Sequence, residues 1–180
     1  VVTVTGLSKS LALGGWRVGA ARFPDNPWGR ALRARVVGVA SQVWSNLAAP
    51  MQSVVEYAFT EPADLVAHRD AATRLHGLVA CAVHDVFARH GTLDVPPDGA
   101  FYVYPDFEAH RERLARHGIR SDSDLTTWLL EEHGLAVLAG SEFGDRSTAL
   151  RFRAATSLLY GDTSDHRWQA LHAADLLAVP

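Results

Sequence analysis

Gly6-Leu7-Ser8-Lys9, then Ser10 to Leu13, then Gly14-Gly15-Trp16-Arg17-Val18-Gly19 place one amine and one guanidinium eight positions apart across a glycine-rich turn. The flanks of this stretch read as strands. Val1 to Thr5 is β-branched throughout, and a second strand-like run extends from Trp16 to Phe23. Neither run alternates cleanly between apolar and polar residues, which is the pattern of a sheet covered on both faces. Such a sheet calls for more strands than these two.

The basic residues sharpen the reading of the turn. Of the 17 lysines and arginines, only Lys9 is a lysine. Arginine stays protonated at any ordinary pH, whereas lysine can lose its proton, attack a carbonyl and form an imine. A ligand with an aldehyde at one end and a phosphate at the other needs a lysine for the first and an arginine for the second. The glycines let the backbone approach it closely. For Lys9 to act as a nucleophile near neutral pH, its surroundings must favour the neutral amine, and burial or the nearby Arg17 cation would do so.

From Gly6 to Gly19 the pattern is similar, without a gap, to the pyridoxal-phosphate attachment site of class I/II (fold type I) aminotransferases. The resemblance implies that Lys9 is the Schiff-base lysine and the carrier of the proton at the substrate α-carbon. It also implies that Ser8 and Arg17 hold the phosphate of pyridoxal 5'-phosphate. Gly6 departs from many members of that family, which carry a hydroxyl residue there, so one phosphate hydrogen bond is expected to be missing or replaced.

Further along, Pro24-Asp25-Asn26-Pro27 is a loop by its turn chemistry. A helix is predicted from about Gly29 to Leu47, with Leu32, Val36, Val39, Ala40, Val43 and Leu47 at helical spacing. A shorter helix follows Pro50. Glu61-Pro62 opens a long helix that His90-Gly91 stops. Pro96-Pro97-Asp98-Gly99 marks a boundary, because short alternating elements replace long helices there. Strands are predicted at Phe101 to Pro105, Leu135 to Ala139 and Leu150 to Ala155. Ser121 caps a helix to His133, with Asp124 completing a capping box and Gly134 as the stop. A last helix runs from Ser164 to Leu177.

The same family resemblance extends to these segments. Gly99 to Asp106 resembles the opening of the small domain, and Glu132 to Gly144 resembles its helix, strand and glycine-containing loop. In the next strand Arg151 falls where the family places the arginine that grips the substrate α-carboxylate. Arg153 points the same way by strand alternation and is a rival. The expected fold is therefore α/β, the later part of the aminotransferase-like fold. Residues 1–95 would form the C-terminal portion of the cofactor-binding large domain with interdomain helices, and residues 96–180 the small domain.

Composition narrows the partners. At 180 residues and 48% hydrophobic, the chain has material for a core. Its net charge of -3 gives no field that would draw it onto nucleic acid or anionic lipid. No apolar run approaches the roughly 18 to 20 residues of a membrane span, and Val1 to Thr5 lacks a signal-peptide pattern, so a cytoplasmic setting is expected. Cys81, in an apolar helical stretch, reads as a small buried hydrophobe. The nine histidines show no metal-ligand spacing, and Asp85 should face away from His84 on the helix, so no metal is expected. The five tryptophans read as core or interface residues.

By the resemblance, the activity is amino-group transfer between an amino acid and a 2-oxo acid, in an enzyme that is a homodimer when full length. Members of the family are about twice as long as this chain, so a truncated and inactive piece is expected. The pyridine-nitrogen and ring-stacking residues cannot be assigned here. A lyase or decarboxylase of the same fold, or the effector domain of a transcription regulator, remain alternatives.

Overall fold

Gly6 and Gly19 face each other at the end of an antiparallel ladder that begins at Thr3 and Arg22. These two strands, β1 (Thr3–Gly6) and β2 (Gly19–Arg22), form a two-stranded sheet in the computed structural model, which describes residues 1–176. Between them the chain folds into a four-residue helix, α1 (Leu7–Ser10), and a 3-10 turn over Gly14–Trp16. Strand propensity was legible on both sides of the turn; the helical turn was not. Leu7 and Val18 are buried, and Leu7 N–H donates to Val18 O at 3.2 Å.

Helix α2 (Pro27–Val43) starts where Asn26 accepts a hydrogen bond from Gly29 N–H at 2.8 Å, with proline in the first turn, where its missing N–H costs nothing. It ends earlier than expected. Ser45 takes the left-handed conformation at φ 67, so Leu47 lies beyond the helix. Val36, Val39 and Val43, the apolar stripe read from the sequence, are exposed among the described residues. Helix α3 (Ala49–Phe59) follows, then α4 (Ala63–Arg89), which spans the range that Glu61-Pro62 and His90-Gly91 delimit.

The remaining elements are β3 (Tyr102–Val103), α5 (Arg111–Ala115), α6 (Asp122–His133), β4 (Leu138–Ala139), β5 (Phe152–Ala155) and α7 (Ser164–Leu176). The predicted end of α7 at Leu177 lies outside the described residues. Helix α6 has the capping box: Ser121 Oγ accepts from Asp124 N–H at 3.1 Å, and the Asp124 carboxylate accepts from Ser121 N–H at 2.9 Å. Gly134 ends it in the left-handed region, φ 65, where a side chain would be strained. The strands form an antiparallel sheet in the order β3-β5-β4.

Chain contacts divide the protein into two units, Val1–Arg69 and Asp70–Pro180, and the division falls within α4. The composition change at residues 96–99 lies in a loop of the second unit. That unit holds a core of Leu114, Ile119, Leu125, Leu129, Leu150 and Phe152. Phe152 is fully buried and meets Phe107 and Phe87 at ring separations of 5.4 and 6.0 Å. Strand alternation accounts for its place: Leu150 and Phe152 turn to the core and leave Arg151 and Arg153 on the opposite face.

Two side-chain expectations are corrected, those for Cys81 and His84. Cys81 is exposed, because it falls on a solvent-facing position of α4. Of the five tryptophans read as core or interface residues, Trp128 packs against the core, and Trp16, Trp28, Trp44 and Trp168 are exposed in the single chain. The His84 ring does reach Asp85, at 3.5 Å, and its other nitrogen lies 3.6 Å from Asp94.

Candidate functional site

The sequence-predicted residues fall in both units. In the first, Ser8 and Lys9 sit on α1 and Arg17 follows the 3-10 turn. The Leu7–Val18 backbone bond ties the residue two before Lys9 to the residue after Arg17, so both belong to one small folded turn. Arg17 adopts the left-handed conformation at φ 56, and its Nη1 donates to Gly14 O at 2.9 Å. That bond is local. Among the described residues no acidic side chain pairs with Arg17, so its charge and remaining N–H groups are available to an anion.

Lys9 and Arg17 are exposed and Ser8 is half-buried. Of the two ways in which the surroundings of Lys9 could favour the neutral amine, burial is not seen, since α1 turns Leu7 inward and leaves Lys9 outward. A cleft of about 260 Å³ opens on another side of α1, lined by Leu7, Ser10, Leu11, Phe59 and Leu65 among others. Neither Lys9 nor Arg17 lines it. The donor set of the turn, one amine, one guanidinium and one hydroxyl, suits a phosphorylated aldehyde.

In the second unit, the face of the β3-β5-β4 sheet opposite the core carries a charged cluster. Asp106 and Arg151 are bridged across the strands, and Arg151 Nε donates to Asp106 Oδ2 at 2.8 Å. Arg151 Nη1 lies 3.4 Å from Asp145, whose carboxylate accepts from the Tyr104 hydroxyl at 2.7 Å. These partners fix the plane of the guanidinium and leave Nη2 without a hydrogen bond among the described residues. Asp106, Asp145 and Tyr104 were missed by sequence reasoning. The alternation of Tyr102, Tyr104 and Asp106 was the available signal.

The cluster perturbs its members. Burial, with Asp145 as an acceptor beside it, pushes the Tyr104 hydroxyl up to about 12. The hydrogen bond from Tyr104, followed by the Arg151 charge, holds the Asp145 carboxyl below the usual carboxylate range. The bond to Asp106 raises Arg151 above its ordinary value. Gly140 makes this contact possible, because a Cβ there would sit 2.6 Å from the Tyr104 hydroxyl. Nearby, Asp122 is fully buried and accepts from Ser123 N–H at 2.8 Å and Ser141 N–H at 2.7 Å, which pins the Gly140–Phe143 turn to α6.

No group of three or more His, Cys, Asp or Glu side chains among the described residues is arranged to hold a metal ion. No helix among them is long and apolar enough to cross a membrane.

The family described as "Aminotransferase class I and II" matches residues 1–158. An aspartate aminotransferase of Rhizobium meliloti is 35% identical over 159 residues, which cover 87% of this chain and 37% of that protein. An aspartate/prephenate aminotransferase of Cereibacter sphaeroides is 33% identical over 147 residues, 79% of this chain and 34% of that protein. The crystal structure of an aromatic aminotransferase from Pyrococcus horikoshii superposes with a TM-score of 0.66 at 22% identity, over 98% of this chain and 42% of that one. The chain thus spans little more than a third of the length of these two curated relatives, and its fold is that of part of an aminotransferase.

Proposed function

Since the chain belongs to the class I and II aminotransferase family, we propose that it carries the lysine, phosphate-binding and carboxylate-binding residues of an enzyme that transfers an amino group between an amino acid and a 2-oxo acid. The observation that carries this reading is the turn at residues 6–19, where the chain's single lysine and an acid-free arginine are held by one backbone bond. The aspartate and aspartate/prephenate aminotransferases among its relatives support the same reaction class.

The family's cofactor is pyridoxal 5'-phosphate, which when bound supplies an aldehyde that condenses with amines and a ring that withdraws electrons from the substrate α-carbon. In this reading Lys9 Nζ would hold the cofactor's aldehyde carbon and, as a free amine, would move the proton at the substrate α-carbon. Arg17 and Ser8 hold the phosphate, the first by charge and a planar pair of donors, the second by its hydroxyl. Arg151 takes the α-carboxylate. Its orientation by Asp106 and Asp145 removes rotameric freedom before the ligand arrives and leaves Nη2 to donate to it. Residues 1–95 and 96–180 would serve as the cofactor-side and substrate-side parts, in a cytoplasmic homodimer.

The test is borohydride reduction in the presence of pyridoxal phosphate, followed by peptide mass mapping. Adduct on the Lys9 peptide is expected, with Lys9→Ala abolishing it. An adduct that survives Lys9→Ala moves the anchor to another amine and removes the assignment.

A further inference from the structure

The described residues that line the cleft beside α1 all belong to the first unit, so one folded unit builds it. Leu7, Leu11, Phe59 and Leu65 give it apolar walls. At about 260 Å³ it falls below the roughly 300–1,000 Å³ of sites for drug-sized ligands, which sets its occupant at the size of a single amino acid or smaller. Lys9 and Arg17 lie outside it.

Among those lining residues Glu61 and Arg69 carry charge, and Arg69 Nη1 donates to Glu61 Oε1 at 2.8 Å. Glu61 lies in the link between α3 and α4, in a left-handed conformation, φ 50, that residues other than glycine rarely enter. Arg69 follows Leu65 by one helical turn on α4, which puts an apolar wall and a guanidinium on the same helix face. The pair is net neutral and half open to solvent, so it contributes little to folding and re-pairing its charges costs little. A simple anion would gain Arg69 and be repelled by Glu61, and a simple cation the reverse. A molecule with an ammonium and a carboxylate on one carbon holds its charges about as close together as the pair does. It satisfies both partners at once, the ammonium at Glu61 and the carboxylate at Arg69.

We propose that this cleft is a binding site for a zwitterionic α-amino acid with an apolar side chain of about leucine size. Glu61 and Arg69 take the two charges, and Leu7, Leu11, Phe59 and Leu65 cover the side chain. The ligand is held by charge and burial alone, so the site does not depend on imine chemistry at Lys9.

Titration of the whole isotope-labelled chain with leucine, followed by amide NMR, tests it. The amides of Leu7, Leu11, Leu65 and Arg69 are expected to shift together with a Kd of about 1 mM, the strength of a ligand this small at modest efficiency. Isocaproate, which lacks the ammonium, and isopentylamine, which lacks the carboxylate, should each bind at least about tenfold more weakly. Glycine, which lacks the side chain, should bind about 10- to 100-fold more weakly than leucine. Arg69→Gln should weaken leucine about tenfold and remove its advantage over isopentylamine. No saturable shift with leucine, shifts confined to the surroundings of Lys9 or Arg151, or equal affinity for leucine and isocaproate overturns the proposal, and none of these outcomes requires a variant to fold. The titration needs no pyridoxal phosphate, so its failure is separable from a failure of the Lys9 labelling.

Discussion

The two units of the chain differ in how they hold their chemistry. Among the described residues, Leu7 and Val18 are the buried hydrophobic side chains of the first unit, and its candidate residues Lys9 and Arg17 stand exposed on a turn. The second unit buries Leu125, Leu150 and Phe152 completely, and its Arg151 is fixed by carboxylates from two other segments. The contrast teaches that a reactive side chain can be presented in two ways. A glycine-rich turn needs only backbone geometry, whereas a sheet face fixes a guanidinium through partners that only tertiary folding brings together.

Core substitutions give this comparison its largest measurable consequence. Phe152 sits against Phe87 and Phe107 with no exposed surface, so Phe152→Ala is expected to cost about 3–5 kcal/mol of unfolding free energy. Val4, in β1, is 75% exposed, and Val4→Ala should change stability by no more than about 0.5 kcal/mol. Chemical denaturation followed by circular dichroism measures both. Similar losses at the two sites would mean that the first unit is as tightly packed as the second, and the distinction would go.

The same contrast explains what could be read from the sequence. Helices α4 and α6 were legible because their signals are local: proline before the first turn, the Ser121–Asp124 capping box, glycine at the end. Strands β1 and β2 were legible in place from β-branched composition, but α1 between them was not, since four residues are too few for a periodic pattern. Lys9 stood out as the only lysine, and the Gly6–Gly19 pattern brought Arg17 and Ser8 with it. Arg151 was singled out by register along the family pattern. Its partners were not, because Asp106 lies 45 positions away in sequence and nothing local links the two. Cys81 was misjudged for a related reason: an apolar stretch on a helix does not say which side of it is covered.

A smaller effect is expected at Asp122, which has no counterpart in the first unit. Its carboxylate satisfies the N–H groups of Ser123 and Ser141, and Asp122→Ala orphans both at a cost of about 1–3 kcal/mol. Asp122→Asn retains one acceptor oxygen and should lose less. Denaturation midpoints of the two variants check the order. Equal losses in the two variants would show that the buried negative charge, which neither retains, rather than the hydrogen bonds, is what α6 requires.

The subtlest difference between the units lies in two tyrosine–aspartate pairs. In the first, exposed Tyr57 donates to Asp64, and that hydrogen bond is the leading reason its hydroxyl is raised above the ordinary value. In the second, burial leads, and Tyr104 is pushed up to about 12. For a group raised on folding, the stability it contributes is complete below the unfolded value near 10 and is lost as pH rises from there through about 12. Its partner behaves oppositely: Asp145 is lowered on folding, so its contribution is present above the usual carboxylate range and is lost as pH falls through the depressed folded value. Tyr104→Phe should therefore remove the last-ionising part of the tyrosinate absorbance titration and shift the Asp145 carboxyl titration, followed by NMR, upward. If Tyr104→Phe leaves the most alkaline component intact, that component belongs to another tyrosine, and the sheet face is as open to solvent as the Tyr57 pair.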